Sequence, residues 1–166
     1  MNVVVVAGNP KPDSRTLSAA SMVAEAVTGT PPDTVLDVIT FGHGLLGFGD
    51  PDVVSAIESV RAANVAVVAS PTFKATYSGV LKTFLDQIPA DGLAGVTAVP
   101  LMLGAGPGHA LAPELSLKPV LVELGADCPT RGLYLLDRIW DTDPALRSWL
   151  PAARRQVTQS CSGGVR

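Results

Sequence analysis

A chain of 166 residues suits one domain, and a domain of that size buries roughly two thirds of the surface it exposes when unfolded. Hydrophobic residues make up 47% and charged residues 16%, which excludes a disordered chain, yet no stretch reaches the roughly 18 uncharged apolar residues that a membrane span needs. A net charge of −3 argues against broad nucleic-acid binding, which calls for a basic stripe that displaces counterions from phosphates.

The opening MNVVVVAGNP lacks the basic region and small-residue cleavage site of a secretory signal, so its apolar run reads as a strand and a cytoplasmic location is expected. In chain order, β-branched or aliphatic runs at 3–7, 35–41, 65–70 and 96–103, with a shorter one near 131–136, predict strands covered on both faces. Between them, helical spacing appears at 16–27, where Leu17, Ala20, Met22, Val23 and Ala26 lie on or near one face, and at 53–62, 80–88, 109–124 and 144–159. Pro119 inside the fourth helix would remove one backbone hydrogen bond and crowd the carbonyl of Leu115, so that helix should bend or bulge there.

Strands alternating with helices predict right-handed crossovers and an α/β fold: a flavodoxin-like three-layer sandwich around a five-stranded parallel sheet of order 2-1-3-4-5. The sequence has no internal repeat and no linker, so residues 1–166 read as a single domain with a tail fraying from about 160. The glycine-rich GHGLLGFGDP reads as the loop between the second strand and the second helix. Cys128 and Cys161 sit in no metal-like or redox-like spacing and are read as ordinary residues.

Three stretches follow strands at the end where an open parallel sheet binds ligands. AGNPKPDSRTLSAA opens the first helix with Ser14, Arg15 and Thr16, which offer hydroxyls, a guanidinium and free N–H groups to a phosphate; the plainer alternative is that Asp13 or Ser14 caps the helix. SPTFKATYSGVLKTFLDQIP brings Pro71, Thr72, Phe73 and Lys74 to the switch point, where a flat heteroaromatic ring would fit, although Phe73 and Tyr77 suit a core or an interface equally well. LMLGAGPGHA has almost no side chain at Gly104, Ala105 and Gly106, which permits close backbone approach to a planar ligand or serves a tight turn. A phosphate turn with two ring-sized turns is what FMN requires.

Other motifs carry less. Gly42, Gly44 and Gly47 match GxGxxG but follow the second strand, and Asp50-Pro51 interrupts the pattern before a helix begins, so they read as a connecting loop. His109 reads as a helix-start or surface residue, and two histidines assemble no Ser-His-Asp or HExxH arrangement.

At these residues the sequence resembles the NADPH-dependent FMN reductases of flavodoxin-like fold, and within them the alkanesulfonate-type branch that feeds reduced flavin to a monooxygenase. The block SPTFKATYSGVLKT carries most of the likeness; AGNPKPDSRT resembles the phosphate loop, and Gly104 through Leu117-Lys118-Pro119 resembles the third loop and fourth helix. The resemblance implies that Ser14, Arg15 and Thr16 meet the FMN phosphate with Asn9 nearby, that Pro71 to Lys74 border the isoalloxazine on one side, and that Gly104 to Gly106 border it on the other.

It also implies NADPH or NADH as hydride donor and a homodimer or homotetramer, with a flavin-dependent monooxygenase as partner; hydride transfer between stacked rings demands no catalytic side chain. The apolar positions Leu111, Leu115, Val120 and Leu124 would pack on a twin or cover the sheet. Leu115 stands where that branch carries an inserted tyrosine or histidine, which leaves open a tightly held FMN serving quinones, azo compounds or metal ions. A flavodoxin-like electron carrier is the alternative of another class, although such carriers are more acidic than −3.

Overall fold

Four valines and an alanine form the interior strand β1 (Val3–Ala7), and all five are fully buried in a computed structural model that describes residues 1–163. Parallel pairing places β2 (Thr34–Asp37) on one side of β1 and β3 (Val65–Pro71) on the other, followed by β4 (Thr97–Gly104) and β5 (Leu133–Leu136). The order β2-β1-β3-β4-β5 is the one expected.

Alternation along the strands divides the core. Val3, Val5, Val65, Val67, Val99 and Leu101 point to a face covered by α1 (Arg15–Thr28) and α5 (Pro144–Gly163). Val4, Val6, Ala66, Val68 and Met102 point to the opposite face, under α2 (Pro51–Arg61), α3 (Gly79–Leu85) and α4 (Lys118–Glu123). Both faces being covered is why the strand sequences read as unbroken apolar runs.

Capping sets three helix starts: the side chains of Ser14, Asp50 and Ser78 accept from N–H groups in the first turns of α1, α2 and α3. α3 ends at Leu85, short of the expected residue 88, and the chain tightens there into turns in which the Gln87 and Ile88 N–H groups reach the Phe84 and Leu85 carbonyls ahead of Pro89. Helix α5 runs through Ser160 to Gly163, within the tail expected to fray, and residues 164–166 of that tail lie outside the described residues.

The second strand is shorter than its apolar run. Its register pairs Asp37 with Ala7, the last residue of β1, so residues beyond Asp37 have no ladder to join. They turn instead into 3₁₀ geometry over Val38–Leu46, broken at Gly42 (φ 52°), so the first half of the expected loop is helical. Phe41 then stacks on Phe84 with ring centroids 6.1 Å apart.

The fourth helical segment departs in the manner Pro119 requires. A 3₁₀ turn (Pro107–His109) leads into a π-turn (Pro113–Leu117), where the Lys118 N–H reaches the Pro113 carbonyl, and only then into α4. The wider turn spares Leu115 a clash with the proline ring. Glu114 and Lys118 fasten this irregular segment to the approach to β5. Glu114 Oε2 accepts from the Gly132 N–H at 2.6 Å and Oε1 from Lys118 Nζ at 2.9 Å, while Lys118 also donates to the Thr130 carbonyl at 2.9 Å.

Burial works to raise the Glu114 carboxyl, but the Gly132 N–H, Lys118 and Arg131 outweigh it and hold the group below its usual range. A depressed carboxylate contributes stability above its unfolded value and loses it as pH falls through its folded one. Glu114→Gln is therefore expected to lower stability at pH 7 by no more than about 1 kcal/mol, since the ion pair is partly exposed, with the difference shrinking below about pH 4. Urea midpoints across that range check it.

Candidate functional site

At the C-terminal edge of the sheet, the turns after β1 and β3 are joined through buried serines. The Ser78 hydroxyl donates to the Gly8 carbonyl at 2.5 Å and accepts from the Leu81 N–H at 3.1 Å, while the Ser78 N–H donates to Ser70 Oγ at 2.8 Å. The Gly8 N–H donates to the Ala69 carbonyl at 2.9 Å. A Cβ at Gly8 would lie 2.3 Å from Leu81 Cβ, so the start of α3 rests directly on the backbone of the first turn.

The first turn ends at the N-terminus of α1, whose first N–H groups have no intrahelical acceptor. Ser14 caps the helix, as one reading of the sequence had it, and accepts from Leu17 N–H at 3.3 Å, which leaves the N–H groups of Arg15 and Thr16 for another acceptor. Thr16 Oγ1 accepts from Asn9 Nδ2 at 2.9 Å and keeps its own proton to donate, while Asn9 Oδ1 braces the Lys11 N–H at 2.9 Å. Arg15 is exposed and pairs with Asp137 at 2.5 Å across the sheet edge. Asp37 Oδ2 accepts from the Asp13 N–H at 2.9 Å and so holds Asp13 at its positive φ of 49°. Burial raises the Asp37 carboxyl above its usual range, and the charge of Asp13 adds to this, against hydrogen bonds from the backbone of Asp13 and Ile39.

The second turn is tight. Phe73 and Thr76 exchange backbone hydrogen bonds of 2.8 and 3.2 Å around Lys74 (φ 52°) and Ala75 (φ 70°), the left-handed pair of a two-residue hairpin turn built without glycine. Such backbone costs on the order of 1 kcal/mol per residue and concentrates at functional sites. Phe73 is about half exposed, and the Thr72 N–H bonds the Leu103 carbonyl at 2.7 Å, while Thr72 Oγ1 is buried with no hydrogen-bond partner among the described residues.

The third turn contains no positive φ at Gly104 or Gly106, so dihedral need does not explain its glycines. At Gly104 the reason is proximity, since a Cβ would lie 1.8 Å from the Tyr134 hydroxyl. That hydroxyl donates to the Gly106 carbonyl at 2.7 Å. Burial raises the Tyr134 phenol, partly offset by the Thr72 hydroxyl beside it.

The structure thus brings all three predicted stretches to one edge and stitches them together. Sequence reasoning missed Asp37, Ser70, Ser78 and Tyr134. Ser78 carried a signal, since a serine three residues before Leu81 is a capping position, whereas the others act through contacts between distant segments. His109 is exposed, and burial pushes the Cys128 thiol up to about 11, further from a reactive thiolate than an ordinary cysteine. Gly44 packs against the capping carboxylate of Asp50, consistent with a connecting loop.

A family model described as NADPH-dependent FMN reductase matches residues 1–141. The chain belongs to that family. An FMN reductase (NADPH) of Escherichia coli (strain K12) is 34% identical in an alignment 147 residues long that covers 82% of this chain and 74% of the relative. An NADH-dependent FMN reductase SfnF of Pseudomonas putida is 26% identical over 142 residues, covering 81% and 76%. The solved apo structure of an NADH:FMN oxidoreductase (EMOB) matches with a TM-score of 0.84 at 26% identity, covering 95% of this chain and 89% of that one.

The chemistry of these turns is compatible with a flavin. A donor-rich helix start suits a phosphate, and the orphaned Thr72 hydroxyl with the strained turn beside it is the kind of feature a ligand completes. Ser78→Ala would remove a cap and leave the Gly8 carbonyl without its partner, at an expected cost of about 1–3 kcal/mol in chemical denaturation.

Proposed function

We propose that the three turns form an FMN site and that the protein oxidises NADPH or NADH at the expense of FMN bound there. The observation that carries this reading is the buried, unpartnered Thr72 hydroxyl beside a strained turn, at the same sheet edge as the open N–H groups of Arg15 and Thr16. When bound, FMN supplies a ring whose N5 accepts a hydride from the nicotinamide C4.

In this reading Thr16 and Ser14 donate hydroxyl hydrogen bonds to the phosphate, with Asn9 holding Thr16 in orientation. Arg15 adds charge; its exposed pair with Asp137 is worth about 0–1 kcal/mol and yields readily to a phosphate. Pro71, Thr72, Phe73 and Lys74 border one side of the ring, and Gly104, Ala105 and Gly106 the other. The N–H groups of Lys74 and Ala75, at the tip of their hairpin turn, can stabilise negative charge that develops on the ring. The remaining work is positioning, and no side chain is needed to shuttle protons.

For the 2′-phosphate of NADPH, Lys11 and Lys74 are more available than Arg15, since neither has an ion-pair partner among the described residues. The same reading includes delivery of reduced FMN to a flavin-dependent monooxygenase in the cytoplasm. It also includes a homodimer or homotetramer, supported by Leu111 and Leu115, which are 60% and 71% exposed on the irregular segment ahead of α4. Residues 1–166 act as a single FMN-binding domain.

Two measurements test the reading. Protein mixed with NADPH and FMN is expected to consume NADPH, followed at the nicotinamide absorbance, at rates that saturate with added FMN; consumption no faster than the buffer blank with either nicotinamide would contradict it. Thr16→Val is expected to weaken FMN binding by about tenfold, the scale of a hydrogen bond to a charged group, and to leave riboflavin binding unchanged. Equal losses for the two flavins would remove Thr16 from the phosphate.

A further inference from the structure

We propose that Tyr134 is a positioning residue for the flavin ring, whose hydroxyl clamps the turn after β4 and sets the gap between the two turns that border the ring. The inference rests on the reading of those turns as a flavin site.

The phenol spans both turns. Its ring is buried in the core cluster on the α3 and α4 side of the sheet, and its hydroxyl passes the end of β4 to donate to the Gly106 carbonyl at 2.7 Å. The approach leaves no room for a side chain at Gly104, where a Cβ would lie 1.8 Å from the phenolic oxygen and 2.7 Å from Cζ. On the other side stands Thr72, whose buried hydroxyl lies close enough to the phenol to lower its pKa yet completes no well-formed hydrogen bond among the described residues, and whose N–H bonds Leu103 in β4 at 2.7 Å. One side chain therefore meets the residues proposed to border the ring from both directions.

The turn after β4 has few other restraints. A Cβ on Gly106 would meet nothing within 4 Å, and Ala105 is exposed. Its height is fixed by two bonds to the end of β5: Tyr134 to the Gly106 carbonyl, and the Asp137 N–H to the Gly104 carbonyl at 2.9 Å. The second holds the base of the turn and the first its far side. Loss of the phenolic hydroxyl frees the far side alone, which would loosen the ring end of the site and leave the phosphate end intact.

Tyr134→Phe keeps the buried ring and deletes only the donor. FMN and riboflavin affinities, the visible spectrum of bound flavin, deuterium exchange of residues 101–110 and the thermal midpoint are measured for both proteins. The variant is expected to weaken FMN and riboflavin by the same factor, about threefold to tenfold for one lost hydrogen bond, with altered flavin absorption bands and faster exchange confined to residues 101–110. This contrasts with Thr16→Val, which should affect FMN alone. Wild-type affinities and an unchanged spectrum would overturn the inference, even with a lowered thermal midpoint. So would faster exchange spread over β1 and β3, which marks a core residue. If the wild-type protein binds neither flavin, the reading of the site fails first and the inference goes with it.

Discussion

The hydrogen bond from the Ser78 hydroxyl to the Gly8 carbonyl joins the turns after β1 and β3, and the rest of the site depends on that join. The two strands are neighbours in the sheet although more than fifty residues separate them in sequence, and their following helices cover opposite faces. Helices that part in this way open a crevice at the strand ends. Closing the base of that crevice takes backbone against backbone, which Gly8 allows because it has no Cβ to meet Leu81. Ser78 then serves as helix cap, bridge to the first turn and partner of Ser70 at once.

From that base the site widens in two directions with different physics. Toward α1 it is polar: a helix start, hydroxyls oriented by Asn9, and a guanidinium held in reserve by Asp137. Away from α1 its shape comes from backbone held in place, by left-handed residues at Lys74 and Ala75 after β3 and by the Tyr134 phenol against Gly106 after β4. A phosphate is recognised by charge and donors, a planar ring by shape and a dry edge, so the division matches the two ends of one ligand. On the proposed reading hydride transfer asks chiefly for alignment, which suits a site of strained and stitched backbone.

Much of this was legible in the sequence. Apolar strand runs and the alternation of strands with helices predicted the sheet order, and Pro119 predicted the bulge near Leu115 through a steric rule that acts locally. The second strand is shorter than its apolar run because those residues continue past the point where β1 ends, and strand length depends on the neighbour as much as on propensity. Residues 38–46 spend their hydrophobicity on a 3₁₀ segment packed against α3, with Phe41 on Phe84. The candidate site residues were proposed from local stretches, whereas Tyr134 and Asp37 act across distant parts of the chain and have no signature of their own. Gly104 illustrates the limit: its presence was visible, but its cause is a tyrosine thirty residues later.

The most direct test of a single composite site is an amide chemical-shift titration of the protein with FMN. The account predicts that the amides of residues 9–16, 71–77 and 104–106 shift together along one binding isotherm while those on the opposite edge of the sheet stay still. Shifts confined to one of the three turns would contradict it. So would shifts gathered instead around the cavity of about 470 Å³ that Leu111, Leu133, Trp149 and Ala153 line beside α5.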